Sequence, residues 1–342
     1  MKVLLTGANG FIGSHILDRL IEMGHDVRCL IRRNSNLKNI EHIDCEYVYG
    51  DLLDCDALNK ATQNVEAVIH TAAHAKDWGD YDLFYQSNVE GTLNLIKASK
   101  VNAVKKIILT SSISVYGEEH STLAKNEKSP LNSHYKYFLD SIFPCKMNYY
   151  RDTKRIAKDK ASEFAKKHNI DLLFIEPVWV FGEREFGTGF YDYLNTVRSG
   201  AKFLPGSNSN YFHVIYVKEL AKAYERAIHY DFKGCEALII GNSSPILMND
   251  LYTMLCEGAG LKKPYNLPKY ITYPVAFVME VLWTMLRVKT PPILTRGRLN
   301  MFYDNIMFDV SKAKEVMGFE DKSDLKESID KTIKWYQENG YL

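Results

Sequence analysis

Residues 6–13 read Thr-Gly-Ala-Asn-Gly-Phe-Ile-Gly and follow directly on the apolar run Val3-Leu4-Leu5. A strand that enters a glycine turn and then an amphipathic segment, Ser14 to Met23, has the form of a βα phosphate cradle. Gly7 permits the tight turn, Gly10 lets a pyrophosphate approach the backbone, and Gly13 lets the new helix pack closely on the strand. Asn9, Phe11 and Ile12 complete the loop. The first turn of the helix offers unpaired N–H groups and the positive end of its dipole to an anion. The spacing is G-x-x-G-x-x-G rather than G-x-G-x-x-G. The competing reading is a glycine-containing turn that binds nothing, and the strand–turn–helix context favours cofactor binding over it.

The same rhythm continues along the first half. Strands are expected at Lys2–Leu5, Asp26–Ile31, Glu46–Tyr49, Ala67–His70, Lys106–Thr110 and Asp171–Ile175, with helices near 13–24, 55–62, 81–101 and 148–168. Regular βα alternation implies a Rossmann-type, doubly wound parallel sheet covered on both faces. Such a sheet binds its ligand at the carboxyl ends of its strands. After Pro177 the pattern changes to loops, a helix near 188–199, a short strand at His213–Val217 and a helix over Lys218–His229. The remainder reads as mostly helical, ending in Leu325–Asn339. We therefore expect a dinucleotide-binding domain over 1–176, with 213–241 returning to it. A smaller, interwoven C-terminal substrate lobe would comprise 177–212 and 242–342.

Composition narrows the partners. A formal charge of +1 argues against nucleic acid. Six cysteines at 29, 45, 55, 145, 235 and 256, with no C-x-x-C pair, fit reduced thiols and neither a disulfide framework nor a metal site. The first strand begins at once, so a signal peptide is not expected and a cytoplasmic location is. Residues 271–286 are strongly apolar but hold Pro274 and Glu280 and fall short of the roughly 20 residues a spanning helix needs. They read as a packed helix, with docking on a membrane surface as the alternative.

Tyr150-Arg151-Asp152-Thr153-Lys154 places a tyrosine and a lysine four apart, on one face of a helix. A nearby ammonium stabilises phenolate and lowers the tyrosine pKa toward working pH. Such a tyrosine can exchange the proton of a substrate hydroxyl while a nicotinamide carries hydride. The pattern alone is weak among 22 tyrosines. It recurs at Tyr265–Lys269, where Pro268 disfavours a regular helix. Upstream, Thr110-Ser111-Ser112-Ile113-Ser114 ends a strand with hydroxyls at the expected cofactor edge. One of these can hydrogen-bond the reacting oxygen. The competing reading is local capping.

Glycine loop, serine strand end and Y-x-x-x-K occur in the order of an extended short-chain dehydrogenase/reductase. The chain resembles that superfamily, which holds nucleotide-sugar epimerases, dihydroflavonol reductases and 3β-hydroxysteroid dehydrogenases, over nearly its whole length. The resemblance implies a catalytic Ser112, Tyr150 and Lys154, with Lys154 also on the nicotinamide ribose. It implies an adenine contact at Asp51-Leu52 and a cofactor-lining H-x-A-A loop at His70-Thr71-Ala72-Ala73. It further implies Ser111 at the cofactor, a structural role for Asn88, and a nicotinamide-flanking segment from Pro177 through Val180. Two departures stand out. Glu176 replaces the usual arginine before the proline, and the stretch from Ser112 to Tyr150 is unusually long, with its excess in Glu118–Met147. Tyr135, Tyr137, Phe138 and Phe143 within it are expected either to cap the substrate or to pin the loop.

The second strand ends in Leu30-Ile31-Arg32-Arg33-Asn34, with no acid until Glu41. NAD sites place an acid there, whereas two arginines suit a 2′-phosphate. NADP is therefore favoured over NAD, unless both arginines are merely solvated. Asp77-Trp78-Gly79, Glu176-Pro177-Val178-Trp179 and Tyr211-Phe212-His213 resemble the 3β-hydroxysteroid dehydrogenase and dihydroflavonol reductase branch. Phe212 and His213 stand where sugar-nucleotide enzymes carry a diphosphate-binding arginine. Trp78, Trp179, Phe212 and His213 are thus expected either at a flat apolar substrate or in the core. The expected activity is interconversion of a secondary alcohol and a ketone on a small apolar or polycyclic molecule. The alternatives are a nucleotide-sugar epimerase or dehydratase, and a non-catalytic dinucleotide sensor. A homodimer through the helices near 81–101 and 148–168 is expected from the resemblance.

Overall fold

The computed structural model describes residues 1–117, 123–187 and 189–342. Seven strands form one sheet: β1 (Lys2–Thr6), β2 (Asp26–Ile31), β3 (Glu46–Tyr49), β4 (Ala67–His70), β5 (Lys106–Thr110), β6 (Leu172–Pro177) and β7 (Cys235–Ile240). Their order is β7-β6-β5-β4-β1-β2-β3, and every pairing is parallel. Helices α1 (Phe11–Glu22), α2 (Cys55–Thr62), α3 (Gly91–Val101), α4 (Met147–His168) and α5 (Val217–His229) accompany the sheet. Because both faces are covered, the central strands are apolar almost without interruption: Val3, Leu4 and Leu5 in β1 and Val68 and Ile69 in β4 are fully buried. The order reverses between β1 and β4, which puts the ligand crevice over their carboxyl ends.

Two details differ from the sequence pattern. The helical stretch 81–101 is not continuous: a π-helical turn, Gln86–Glu90, separates Tyr81–Tyr85 from α3. The segment 213–241 supplies β7 to the seven-stranded sheet and α5 beside it, but its first strand lies elsewhere. Val214–Tyr216 pairs instead with Trp179–Phe181 in a two-stranded sheet of its own. Further short pairs, Ile246–Leu247 with Tyr211–Phe212 and Tyr265–Leu267 with Phe203–Pro205, build the second lobe.

The long connection before α4 is a strap rather than an open flap. Its residues 118–122 lie outside those described. Farther on, Tyr135 N donates to Asn148 Oδ1 at 3.1 Å, and Asn148 Nδ2 returns a bond to Tyr135 O at 2.9 Å. Ser133 and His134 both bond the Asp152 carboxylate, at 2.8 and 2.7 Å. Phe138 packs on Phe277 of helix α6 (Lys269–Met285) with ring centroids 5.3 Å apart. Four polar side chains and backbone groups therefore pin this segment across the first turns of α4. Among the described residues no helix is long and apolar enough to cross a membrane.

Candidate active site

Two glycines of the loop, Gly7 and Gly13, have no room for a side chain. Gly7 has φ +75°, and a Cβ there would lie 2.7 Å from Ala72 N. At Gly13 a Cβ would lie 2.1 Å from Gly7 O. Gly10 N–H closes the turn onto Gly7 O at 3.0 Å, and Gly10 caps α1 with no side chain over the helix end. The first turn of α1 carries no acid. A tight cradle, free N–H groups and an unopposed dipole end together fit a pyrophosphate.

Next to this loop, Thr71, Ala72 and Ala73 stand half-exposed while His70 is buried. Thr92 Oγ1 donates to Asn88 O at 2.7 Å, so His70 Nε2–H donates to Thr92 (3.0 Å) and Nδ1 accepts from the Thr6 hydroxyl (2.7 Å). Burial, and then the Lys154 charge, hold this imidazole near a pKa of about 3, so it is a neutral spacer between β1 and α3. Asn88, in the π turn, accepts from His74 N at 2.7 Å and donates to Thr153 at 3.1 Å. It thereby ties the loop after β4 to α4.

Helix α4 and the end of β5 supply the reacting groups. Ser112 Oγ accepts from Ser114 N at 3.2 Å, which caps the short 3₁₀ turn Ile113–Tyr116, and its own proton is left to stabilise a phenolate at neighbouring Tyr150. Capping and a part in the site are thus both realised by one hydroxyl. Lys154 Nζ lies 6.0 Å from the centre of the Tyr150 ring and donates to Thr110 O at 2.8 Å. Burial pushes its ammonium down to about 8. The expected lowering of the Tyr150 pKa is not what the structure shows. Burial raises the phenol above its ordinary value, and the bond from Ser112 opposes that rise. Lys154 spends its direct hydrogen bond on Thr110 O, where it orients the end of β5. Ser111, whose N–H donates to Ile175 O at 2.8 Å, has a buried hydroxyl with no hydrogen-bond partner among the described residues, which leaves it available at the cofactor edge. Pro177 and Val180 are buried beside this edge.

Glu176 is explained by a partner that sequence reasoning missed. Lys158, one turn beyond Lys154 on α4, donates to Glu176 Oε1 at 2.7 Å, and Tyr116 OH donates to Oε2 at 2.5 Å. The carboxylate is fully buried and the lysine nearly so. The i+4 spacing from Lys154 to Lys158 was the available signal. Tyr224, which bonds Thr110 Oγ1 at 2.6 Å, gave none.

On the adenosine side, Arg32 and Arg33 are exposed just beyond β2. Among the described residues neither pairs with a carboxylate. After burial and Lys76, Arg32 is the third influence that holds the His74 imidazole below its ordinary pKa, so its charge reaches the loop after β4. Asn9 Nδ2 donates to Asn36 O at 3.2 Å, which ties the arginine loop to the glycine loop. Asp51 closes its own turn by accepting from Leu53 N at 3.1 Å, with the carboxylate exposed. Leu52 packs under Gly91, where a Cβ would meet it at 2.7 Å.

The four aromatic candidates separate. Trp179 is half-buried and packs on Phe212 at 5.5 Å. Phe212 and His213 are core residues, contrary to a role at the substrate. His213 accepts from Phe308 N at 3.3 Å and bonds Asn242 O at 2.9 Å, so both ring nitrogens serve the backbone. Trp78 is also buried: its N–H donates to Val288 O at 3.0 Å and the Lys146 ammonium lies 4.2 Å from its ring centre.

Residues 3–241 match the family model described as the NAD dependent epimerase/dehydratase family. The chain belongs to that family. Similar proteins include the 2-alkyl-3-oxoalkanoate reductase of Shewanella oneidensis, 28% identical, with 92% of this chain and 81% of the reductase covered. The 3beta-hydroxysteroid-dehydrogenase/decarboxylase isoform 1 of Arabidopsis thaliana is 28% identical over 96% of this chain and 78% of its own. Enzymes named as 4-epimerases match at 26% and 27% identity. The crystal structure of gox2253 superposes with a TM-score of 0.81 at 28% identity, covering 99% of each chain. This epimerase/dehydratase family member is an NAD(P)-dependent enzyme, and its glycine cradle and Ser112–Tyr150–Lys154 cluster fit that assignment.

Proposed function

We propose that this enzyme interconverts a secondary alcohol and a ketone on a small, largely apolar molecule, with NADP as the preferred dinucleotide. The observation that carries the reading is the convergence of the three groups at the carboxyl end of β5: Lys154 Nζ lies 6.0 Å from the Tyr150 ring centre and holds Thr110 O, two residues before Ser112. Bound dinucleotide supplies or accepts the hydride at the carbinol carbon. In the oxidising direction Tyr150 takes the carbinol O–H proton, Ser112 holds the oxygen as it becomes a carbonyl and opposes the rise of the phenol pKa, and Lys154 fixes the strand end beside them. In the reducing direction each transfer runs backward. An apolar substrate is supported by Phe212 and His213, which fill with core packing the place where sugar-nucleotide enzymes carry an arginine. The names of the reductase and sterol-dehydrogenase relatives agree with it. Preference for NADP rests on Arg32 and Arg33, two exposed cations at the end of β2 that pair with no carboxylate among the described residues.

The test is turnover on a panel of ketones and secondary alcohols with each dinucleotide, for the wild type and for Arg32→Ala/Arg33→Ala. Charge-assisted contacts of about 1.5–3 kcal/mol predict a rise in KM for NADP of roughly 10- to 150-fold, with KM for NAD nearly constant. Equal effects on both dinucleotides refute the NADP preference. Tight retention of NAD through dialysis, with turnover on sugar nucleotides instead of the panel, establishes the epimerase alternative.

A further inference from the structure

Helix α6 is built the wrong way round for a helix on a protein surface. Val275, Val278, Leu282 and Met285 follow one another at steps of three and four residues and so share one face, and all are about half-exposed or more. Thr272, Ala276 and Glu280 are buried on the opposite face. Surface helices ordinarily turn their apolar stripe inward. Phe138 and Ile142 of the strap, 59% and 64% exposed, extend the same patch through the contact of Phe138 with Phe277.

Cations gather beside the patch, while the exposed acids Asp80 and Asp82 follow Trp78 in the chain. Lys136, Arg287 and Lys289 are exposed, and Lys146 is half-exposed over Trp78, whose N–H in turn reaches Val288 O. Both carboxylates from 269 to 304 are buried and paired, Glu280 with Arg296 and Asp304 with Lys269. Asp140 in the strap bonds His134 and Cys145 N.

We propose that this face docks the enzyme on an anionic lipid bilayer, with α6 lying along the interface and the cationic rim on the head groups. A second copy of the chain fits less well, because a two-fold interface would set the cationic rim against itself. An anionic bilayer complements it. The patch also stands next to the reacting helix. Arg296 holds Phe138 O and Phe143 O, and a Cβ on neighbouring Gly297 would meet Met147, the first residue of α4, at 2.6 Å. The inference extends the proposed function: a ketone or alcohol dissolved in the membrane would reach Tyr150 from the docked face without crossing bulk water.

The experiment is flotation of the full chain with vesicles of phosphatidylcholine alone and of phosphatidylcholine with phosphatidylglycerol. Wild type should float with the anionic vesicles and much less with the neutral ones. Val278→Glu/Leu282→Glu should lower the bound fraction at least tenfold, a modest demand for two side chains withdrawn from an apolar phase. Arg287→Glu/Lys289→Glu changes only exposed side chains, so it keeps the test valid if the first variant misfolds, and it should abolish the preference for anionic vesicles. Absence of wild-type binding to either vesicle overturns the proposal. So does a wild-type dimer that Val278→Glu/Leu282→Glu converts to monomer, which would assign the face to a second copy. Turnover on a water-soluble ketone, unchanged in both variants, separates this result from the catalytic reading. Vesicle binding without any ketone turnover would sustain the surface and reject the chemistry.

Discussion

Replacing Lys158 with Met should destabilise this enzyme more than most single substitutions, although Lys158 touches no reacting atom. At 2.7 Å from Glu176, an effective dielectric constant of 20 gives the pair an attraction of about 6 kcal/mol. Taking both charges out of water costs several kcal/mol per ion, so the intact pair contributes little net stability. Removing one partner is different. Methionine retains the apolar stem but leaves the Glu176 carboxylate, fully buried, with Tyr116 as its remaining hydrogen-bond donor. Broken buried pairs cost about 3–5 kcal/mol. Lys158→Met/Glu176→Gln removes the stranded charge and keeps an acceptor for Tyr116, so it should recover all but about 1–2 kcal/mol. Urea unfolding of the wild type, both single variants and the double variant measures the coupling. A loss below about 1 kcal/mol in Lys158→Met, or additive single effects, refutes the reasoning. Because Tyr116 ends the turn that begins at Ser112, and Glu176 precedes Pro177, Lys158→Met should also lower kcat, with partial recovery in the double variant.

Tyr150→Phe should reduce kcat by about 10²–10⁴ while dinucleotide affinity stays near wild type, measured by steady-state kinetics and fluorescence titration; near-normal turnover would remove Tyr150 from the mechanism. Gly13→Ala forces a Cβ against Gly7 O, so it should cost about 1–3 kcal/mol in urea unfolding and abolish dinucleotide binding. His134 has its pKa raised, first by the hydrogen bond to Asp152 and with further help from Asp140. A raised histidine stabilises the fold fully below its unfolded pKa, about 6.5, and the gain is lost as pH rises through the higher folded value. Hydrogen exchange over residues 133–146, corrected for intrinsic rates, should therefore quicken from pH 6 to pH 8 in the wild type. His134→Gln should flatten that dependence.

The doubly wound sheet was legible because each strand needed only its own apolar run, and parallel strands buried on both faces leave little polar alternation to confuse them. Asp26–Ile31, Glu46–Tyr49, Ala67–His70 and Lys106–Thr110 begin and end where the residue pattern places them. The glycine loop was legible for a related reason: Gly7 and Gly13 are set by contacts within a few residues and with the adjoining strand. The π turn at Gln86–Glu90 was not, because it depends on Asn88 meeting His74 and Thr153 from separate parts of the chain.

Local spacing thus determined which groups could do chemistry: Tyr150 and Lys154 on one helical face, Ser112 at a strand end, and two arginines after β2. Tertiary structure decided what each one does. Burial raised the Tyr150 pKa, where proximity to Lys154 alone would lower it, because desolvation depends on every element that closes over the ring. The same long-range packing put Phe212 and His213 in the core, gave Glu176 its cation from another helix, and left the apolar stripe of α6 facing outward. A sequence fixes a residue's neighbours along the chain, but solvation and charge at a site are sums over neighbours that only the folded chain brings together.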